Sequence, residues 1–243
     1  MNALVVGGSS GIGLSIVLQL VQDTTVNHVY IIDKADFPKE FVKEKIVWHN
    51  CDLSLGDYSV LDGLDDIQAL YITAGFGRLE WFQNLSKSYI DDIFAVNAIA
   101  PIQIIHHYYD KLLSDDAFYC AVMVSIAGRL SSPLFSVYSA TKAALSKFIE
   151  AINVELDVQG SKNRILEVSP GSLDGTGFTG GLSHPELTMS LATEIIELSR
   201  KHETLFIPQY EEIFKVVIER YQHNPHQFGV DSYWYKKKQN RFE

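Results

Sequence analysis

The first 13 residues contain the feature that most restricts how this chain can fold, a glycine cluster placed directly after a short apolar run. Residues 3–6 read Ala-Leu-Val-Val, which is typical of a buried strand, and residues 7–13 read Gly-Gly-Ser-Ser-Gly-Ile-Gly. Apolar residues then recur at helical spacing, which predicts a helix that begins near Gly11. A strand, a glycine turn and a helix N-terminus in this order place backbone N–H groups where they can bind a pyrophosphate. The pattern therefore predicts a dinucleotide-binding turn.

Asp33 supports this interpretation because it ends a second apolar run, residues 29–32, and lies 20 residues after Gly13. A carboxylate at the end of that strand can accept hydrogen bonds from both ribose hydroxyls of a dinucleotide. A 2′-phosphate would instead meet a like charge there, and residues 8–10 contain no basic side chain. We therefore predict NAD as the cofactor and NADP as the less favoured one, with Lys34 pointing to solvent. No lysine follows the glycines, which excludes a P-loop.

Short apolar runs and amphipathic stretches alternate six times up to residue 171. Strands are predicted at residues 3–6, 29–32, 46–48, 69–72, 121–124 and 165–168, and long helices at residues 86–113 and 136–158. The first long helix should break or bend near Pro101. This alternation predicts an α/β fold, a doubly wound Rossmann-type parallel sheet of about seven strands with helices on both faces.

The last third of the chain is less regular. Residues 172–184 are rich in Gly, Ser and Thr, and we interpret them as a mobile loop over the substrate. Helices are predicted near residues 186–201 and 209–223, and the Lys236-Lys237-Lys238 run is interpreted as a solvated chain end. We expect a single domain over residues 1–243. Residues 1–171 would form its cofactor-binding and catalytic core, and residues 172–243 its substrate loop, helices and C-terminal tail.

Composition removes several classes of function. The formal net charge of −10 disfavours nucleic acid and anionic membrane surfaces as partners. Cys51 and Cys120 are the only cysteines, so a disulfide framework and a cysteine zinc site are excluded, and the eight histidines show no metal-ligand spacing. The N-terminus lacks the pattern of a signal peptide, and no apolar run approaches the ~20 residues that span a bilayer. These features predict a cytoplasmic protein without a metal.

Tyr138 and Lys142 lie one helical turn apart at the start of the predicted helix 136–158. The spacing alone is uninformative, because the chain contains three such Tyr-x-x-x-Lys pairs. Only this pair opens a helix after the fifth strand, on the side where open α/β sheets bind ligands. A tyrosine is a poor acid or base at neutral pH, and a nearby ammonium can stabilise its tyrosinate. Ser125, at the end of that strand, can orient a substrate oxygen.

Taken together, these motifs resemble those of the short-chain dehydrogenase/reductase family over residues 2–171. Gly7, Gly11 and Gly13 match the family's glycine turn, and Asp52 matches the acidic residue beside the adenine. Ala74-Gly75 matches the second half of its Asn-Asn-Ala-Gly segment, and Pro170-Gly171 matches the turn beside the nicotinamide. All four members of its catalytic tetrad are matched, by Asn97, Ser125, Tyr138 and Lys142. The chain departs from the family at Val6, at Ile72-Thr73 and at its C-terminal end, where Val230-Asp231-Ser232 replaces an Asp-Gly-Gly ending.

The resemblance implies an oxidoreductase that moves a hydride between a nicotinamide cofactor and a secondary alcohol/ketone pair. Tyr138 would be the general acid/base, Ser125 would hold the substrate oxygen, and Asn97 would anchor a water in the proton relay. Lys142 would bind the nicotinamide ribose and lower the tyrosine pKa. The predicted cofactor-binding residues are Gly7, Ser9, Ser10, Gly11, Ile12, Gly13, Asp33, Asp52, Leu53, Ala74, Gly75, Tyr138, Lys142, Pro170, Gly171 and Leu173. The resemblance also implies a homodimer or homotetramer built through the two long helices.

Three questions stay open at the level of sequence. A catalytically idle dinucleotide-binding regulator is the alternative function, and a lyase or epimerase on the same fold is a weaker one. Several apolar residues expected near the cleft either fill the core or line a substrate pocket: Phe76, Trp81, Phe82, Leu134, Phe135 and Phe178. Arg78 and Arg129 are either surface residues or ligands for a substrate carboxylate.

Overall fold

A computed structural model of the chain describes residues 1–176, 178 and 183–239. Seven parallel strands form one sheet in the order β3-β2-β1-β4-β5-β6-β7. Their bounds are β1 Asn2–Val6, β2 His28–Asp33, β3 Ile46–Asn50, β4 Ala69–Ile72, β5 Tyr119–Met123, β6 Ile165–Val168 and β7 Leu205–Phe206. The predicted doubly wound Rossmann-type sheet is confirmed. The sixfold alternation had missed only β7, which is two residues long and carries little apolar pattern.

Helices cover both faces of this sheet. Their bounds are α1 Gly11–Gln22, α2 Lys87–Phe94, α3 Ala100–His107, α4 Tyr109–Leu113, α5 Ser136–Val158, α6 Pro185–Arg200, α7 Lys215–His223 and α8 Pro225–Lys238. Side chains of β1 alternate between the two faces, since Leu4 and Val6 join the core under α3 and α5, whereas Ala3 and Val5 join the core under α1 and α6. Burial on both faces explains why the strands read as continuous apolar runs.

The predicted helix over residues 86–113 is interrupted at Tyr108 and not at Pro101. Pro101 lies inside the first turn of α3, where its missing N–H is tolerated, and a π-helical segment, Ala95–Ile99, precedes it. The helical path ends instead at Tyr108, and α4 follows as a separate short helix. The proline is therefore accommodated by a changed hydrogen-bond pattern upstream of it rather than by a break.

The stretch Lys87–His107 also has a property that the sequence analysis did not anticipate. By length and composition alone, its 21 residues are long and apolar enough to cross a membrane, with a mean hydropathy of 1.2 in its most apolar window. In the fold 44% of that window is buried. Ile93, Ile104 and Ile105 contribute its buried side chains to the core.

The C-terminal region contains the largest difference from prediction. Helices α6 and α7 confirm the two predicted ones, with a π-helical segment, Tyr210–Phe214, leading into α7. The last helix, α8, was not predicted, because its apolar residues follow no clear helical stripe. Interpreting residues 236–238 as a solvated chain end was wrong for Lys236, which lies in the last turn of α8 with only 6% of its surface exposed.

Candidate active site

A cleft of about 690 Å³ lies at the carboxyl ends of the parallel strands. The strand order reverses direction between β1 and β4, and such a switch point is where open α/β sheets bind ligands. Sixteen of the predicted site residues line this cleft: Gly7, Ser10, Gly11, Ile12, Gly13, Asp33, Asp52, Leu53, Ala74, Gly75, Ser125, Tyr138, Lys142, Pro170, Gly171 and Leu173. Ser9 and Asn97 do not line it, and each lies behind it.

The glycine turn at one end of the cleft leaves no room for side chains. Gly7 has a φ of 87°, and a Cβ there would lie 2.5 Å from the backbone N of Ala74. A Cβ on Gly13 would lie 2.1 Å from the carbonyl oxygen of Gly7. These approaches hold the turn against the end of β4, directly before the N-terminus of α1. The turn is thus a cradle that fits a pyrophosphate.

Asp33 ends β2 beside this turn and is fixed by two backbone groups. Its Oδ2 accepts a hydrogen bond from the Ser9 N–H at 3.0 Å, and its Oδ1 accepts one from the Ala35 N–H at 3.0 Å. Ser9 is buried, and its hydroxyl donates to the Ala35 carbonyl at 3.0 Å. Lys34 is exposed at the rim of the cleft. Ser9 therefore supports the carboxylate from behind rather than facing the cleft.

Asp52 follows β3, the strand next to β2, and caps a short 3₁₀ turn, Leu53–Leu55. Its Oδ1 accepts hydrogen bonds from the backbone N–H of Ser54 at 3.0 Å and from the Ser54 hydroxyl at 2.7 Å. Both bonds favour the ionised form and hold the pKa of this carboxyl below its usual value. Leu53, directly after it, also lines the cleft.

Three polar side chains meet at the other end of the cleft. Tyr138 and Lys142 come from the first two turns of α5 and are 8% and 3% exposed, and Ser125 follows β5. The Lys142 ammonium donates to the Met123 carbonyl at 2.8 Å and lies 5.9 Å from the centroid of the Tyr138 ring. The Ser125 hydroxyl accepts from the Ala127 N–H at 3.1 Å. The structure therefore brings together the hydroxyl, phenol and ammonium that the sequence had suggested.

Burial dominates the electrostatics of this cluster. It raises the pKa of Tyr138 above the usual value of a phenol, and a hydrogen bond with Ser125 offsets part of that rise. Burial also lowers the pKa of Lys142 to about 8. In the structure, the protein surroundings therefore keep the proton on Tyr138 at neutral pH and leave Lys142 only weakly basic. The predicted lowering of the pKa of Tyr138 therefore requires a positive charge that these protein surroundings do not supply.

Asn97 lies at the centre of the π-helical segment and is fully buried. Its amide nitrogen donates to the Phe76 carbonyl at 2.8 Å and to the Thr141 hydroxyl at 3.3 Å, and its Oδ1 accepts from the Phe76 N–H at 3.0 Å. The Asn97 side chain thus links the segment after β4 to the π-helical segment that precedes α3. All three of these bonds are to protein groups.

Aromatic side chains surround Tyr138. The rings of Phe135 and Phe178 lie 5.1 and 5.4 Å from its ring, measured between centroids, and all three line the cleft together with Phe76. A Cβ on Gly77 would lie 2.6 Å from the Tyr138 ring, so a glycine is needed on that side. Trp81 and Phe82 are exposed outside the cleft, whereas Leu134 is buried next to it.

The two candidate arginines do not face the cleft. The Arg129 guanidinium binds the buried Glu167 carboxylate at 2.6 Å, and Ser146 and Ser169 donate to the same carboxylate. The guanidinium of Arg78 lies 4.4 Å from the centroid of the Tyr89 ring. Both arginines therefore have structural partners.

Sequence reasoning missed several residues that line the end of the cleft away from the glycine turn, which we call the substrate end. They come from the C-terminal helical region and are Phe214, Phe228, Ser232, Tyr235 and Lys236. Four of them lie on α8, where positions 228, 232 and 235 repeat at helical spacing. Position 232 is a serine, so this spacing gives no apolar stripe, and nothing local in the sequence indicated which structure the helix would cover.

The loop predicted over residues 172–184 reaches the glycine turn. The Ser183 hydroxyl accepts a hydrogen bond from the Gly11 N–H at 2.7 Å, and a Cβ on Gly11 would lie 2.9 Å from the Thr176 carbonyl oxygen. Thr176 and Ser183 form an isolated antiparallel bridge. Residues 177 and 179–182 lie outside the described part, so the predicted mobility stays a prediction.

A search for metal sites covered residues 1–176, 178 and 183–239. Within those residues no group of three or more His, Cys, Asp or Glu side chains is arranged to hold a metal ion.

Comparison with known proteins agrees with the fold and with the motif order. Residues 1–186 match the profile of the family described as short chain dehydrogenase. The chain therefore belongs to the short-chain dehydrogenase/reductase family, whose members are oxidoreductases that use nicotinamide cofactors. A solved short-chain dehydrogenase from Streptomyces avermitilis superposes with a TM-score of 0.75 at 18% identity, covering 95% of this chain and 98% of that one.

Two relatives are more similar in sequence. "Uncharacterized oxidoreductase TDA5" of Saccharomyces cerevisiae is 31% identical over 187 residues, which are 73% of this chain and 56% of that protein. "NADP-dependent 3-hydroxy acid dehydrogenase" of Schizosaccharomyces pombe is 30% identical over 138 residues, which are 56% of this chain and 44% of that protein. The alignments thus span about half the length of these relatives.

Proposed function

We propose that this oxidoreductase interconverts a secondary alcohol and a ketone with NAD as its cofactor. The observation that carries the proposal is that Ser125, Tyr138 and Lys142 meet in one cleft whose other end is the glycine turn. Residues 1–171 would form the cofactor-binding and catalytic core of a single domain, and the remaining residues would enclose the substrate.

The chain's own residues fit a dinucleotide along this cleft. The glycine turn would hold the pyrophosphate, Asp33 the adenosine ribose, and Asp52 with Leu53 the adenine. Ala74, Gly75, the Pro170-Gly171 turn and Leu173 would flank the nicotinamide half, and Lys142 would bind its ribose. When bound, the cofactor supplies or accepts the hydride.

Tyr138 would carry the proton. In the direction of carbonyl reduction its hydroxyl donates a proton to the substrate oxygen, and the reverse reaction returns the proton. The pKa rise caused by burial suits an acid that must keep its proton at neutral pH. Lys142 would stabilise the tyrosinate that forms, and the Ser125 hydroxyl would donate a hydrogen bond to the substrate oxygen.

Asn97 would act through the backbone around it. Its bonds to Phe76 support a role in fixing the segment that borders the nicotinamide side. The water predicted to complete the proton relay would then bind to backbone atoms of the π-helical segment rather than to the amide of this side chain, because Phe76 and Thr141 already engage that amide.

Asp33 supports NAD over NADP, because its carboxylate would lie beside the 2′-hydroxyl of the adenosine ribose and would repel a 2′-phosphate there. At an effective dielectric constant near 20, close like charges repel by a few kcal/mol, which is enough for about a hundredfold preference. One relative is named as NADP-dependent, so the two cofactors must be compared directly. Lys34 at the rim is the residue that would favour the phosphate.

The substrate would be an apolar carbonyl compound, because aromatic rings surround the phenol. The S. pombe relative is named for a 3-hydroxy acid, and its dehydrogenase chemistry supports the same alcohol and carbonyl pair. A cytoplasmic location and the lack of nucleic acid or membrane partners stay predictions.

The testing experiment is a screen of ketones and secondary alcohols with the purified chain, following the absorbance of the reduced cofactor with NAD and with NADP. Turnover of apolar ketones, faster with NADH, supports the proposal. Tight dinucleotide binding without turnover over the whole panel would favour the idle regulator instead. Tyr138→Phe serves as the control for contaminating reductases.

We also propose that the chain forms a homodimer or homotetramer through α3 and α5. Ile99, which directly precedes α3, and Val154 and Val158 on α5 are exposed apolar side chains that a second copy would cover. Light scattering at micromolar concentration should show a multiple of 27.3 kDa. A single species at the monomer mass would contradict this.

A further inference from the structure

The C-terminal helix α8 forms one wall of the substrate end of the cleft. Phe228, Ser232 and Tyr235 lie on its cleft-facing side at successive turns. Gly229 is buried, and a Cβ there would come within 4 Å of Ser131 and Pro133. The helix therefore lies directly against the segment 131–135, which precedes α5.

Lys236 joins this helix to the same segment. Its ammonium donates to the Ser132 hydroxyl at 2.8 Å and to the Pro133 carbonyl at 2.7 Å, and lies 5.8 Å from the centroid of the Phe135 ring. Withdrawing an ammonium from water is costly, so a buried lysine is retained where its donors meet well-placed acceptors. Its neighbours Lys237 and Lys238 are exposed.

The segment that Lys236 binds is constrained in a way that matters for the active site. Leu134 has a φ of 68°, a left-handed conformation that is unfavourable for a non-glycine residue and persists only when neighbours hold it. Its carbonyl accepts a hydrogen bond from the Glu80 N–H at 2.9 Å. The next residue, Phe135, borders α5 and contacts the Tyr138 ring.

We propose that Lys236 is a positioning residue for the reaction, which holds the segment 131–135 and through Phe135 sets the place of the Tyr138 phenol. With it, α8 becomes the specificity wall that seats the body of the carbonyl substrate against Phe228 and Tyr235. This inference rests on the proposed function, since it assigns a residue to that reaction. Lys236 does not touch the glycine turn, so dinucleotide binding should not depend on it.

Three variants test this proposal: Lys236→Met, which keeps the length of the side chain but loses the ammonium; Lys236→Arg, which keeps a donor; and Lys237→Met, a matched control one residue away. Each is compared with the wild type for kcat and KM on one ketone, for the Kd of NADH by its fluorescence, and for thermal unfolding. The value of kcat is normalised to the fraction of chains that bind NADH, which corrects for misfolded protein.

We expect Lys236→Met to lower kcat by about tenfold or more, because small displacements of a reacting group have large effects on rate. Its Kd for NADH should stay within twofold of wild type. Lys236→Arg should recover at least a third of the wild-type kcat, and Lys237→Met should match wild type throughout.

Three results would overturn the inference. If Lys236→Met keeps the wild-type kcat per NADH-binding site, or loses NADH binding in parallel with kcat, the residue only supports the fold. A wild type that binds NADH yet turns over no substrate overturns the proposed function and this inference with it. An active wild type with an equally active Lys236→Met overturns the inference alone.

Discussion

The two ends of the chain meet the same cleft by different means. At the N-terminal end the glycine turn acts through backbone conformation, with Gly7 at a φ of 87° and close against Ala74. At the C-terminal end α8 acts through side chains, and Lys236 reaches Ser132, which lies 104 residues earlier in the chain. A dinucleotide is the same molecule in every enzyme that uses it, so a backbone cradle can serve all of them. A substrate differs from enzyme to enzyme, and its wall must be made of side chains that can vary.

The family profile follows this division. It matches residues 1–186, which include strands β1 to β6, Tyr138 and Lys142, and it ends before α7 and α8 begin. The region outside the profile is also the one that contributes Phe228, Tyr235 and Lys236 to the cleft. The predictions below test whether the N-terminal region alone determines chemistry and cofactor choice.

The largest effect is expected from Tyr138→Phe. Only the hydroxyl is removed, so the proton donor is lost while the ring and its contacts with Phe135 and Phe178 remain. We expect turnover to fall by about 10³-fold or more, and the Kd of NADH to stay nearly unchanged. Steady-state kinetics and NADH fluorescence measure the two quantities. Retention of more than a tenth of the wild-type rate would contradict the proposed role of the phenol.

The two regions also differ in how far sequence alone could predict them. The positions of the first six strands, the helices on both faces of the sheet and α5 with its Tyr138 and Lys142 pair follow from local apolar periodicity and from glycines that only a turn requires. Neither the bond of Lys236 to Ser132 nor the buried environment of Lys142 has a local signal. Both depend on which distant segments pack together, and composition and spacing do not encode that. Interpreting the terminal lysines as solvated was wrong for the same reason.

Asp33→Ala should reduce the preference for NAD. The change removes both the acceptor for the ribose hydroxyls and the negative charge that would repel a 2′-phosphate. A preference of about a hundredfold in kcat/KM should fall to about tenfold or less. Both cofactors are measured with one substrate, and Asp36→Ala, an exposed acid three residues later, is the matched control. Equal kcat/KM values in the wild type would show that Asp33 does not determine the choice.

Lys142→Met should abolish activity and yet stabilise the fold. A lysine whose pKa falls from 10.5 to about 8 on folding costs about 3 kcal/mol at neutral pH, and the lost hydrogen bond to Met123 returns about 1 kcal/mol. The variant should thus be about 2 kcal/mol more stable at pH 7 by chemical denaturation. Its stability gain would show that the N-terminal region retains a costly group for function.

The pH dependence checks the cause of that gain. Between pH 8 and 10.5 the unfolded chain binds more protons at Lys142 than the folded chain, so wild-type stability should rise with pH in this window. Lys142→Met lacks this contribution, and the difference between the two proteins should shrink by pH 10. Lys147→Met, an exposed position on the same helix, should leave both stability and its pH dependence within about 0.5 kcal/mol. A destabilised Lys142→Met would contradict the prediction.

The smallest effect concerns Ser183, which lies near the end of the matched residues 1–186 and contacts the glycine turn. Its hydroxyl accepts the Gly11 N–H, one of the donors that the turn would offer to a pyrophosphate. Because the serine competes for that donor, Ser183→Ala should tighten NADH binding. A net hydrogen bond of about 0.5–1.5 kcal/mol corresponds to a gain between about twofold and tenfold in Kd. Ser190→Ala, an exposed serine on α6, should leave the Kd unchanged. Weaker binding by Ser183→Ala would mean that the hydroxyl assists the phosphate instead of competing with it.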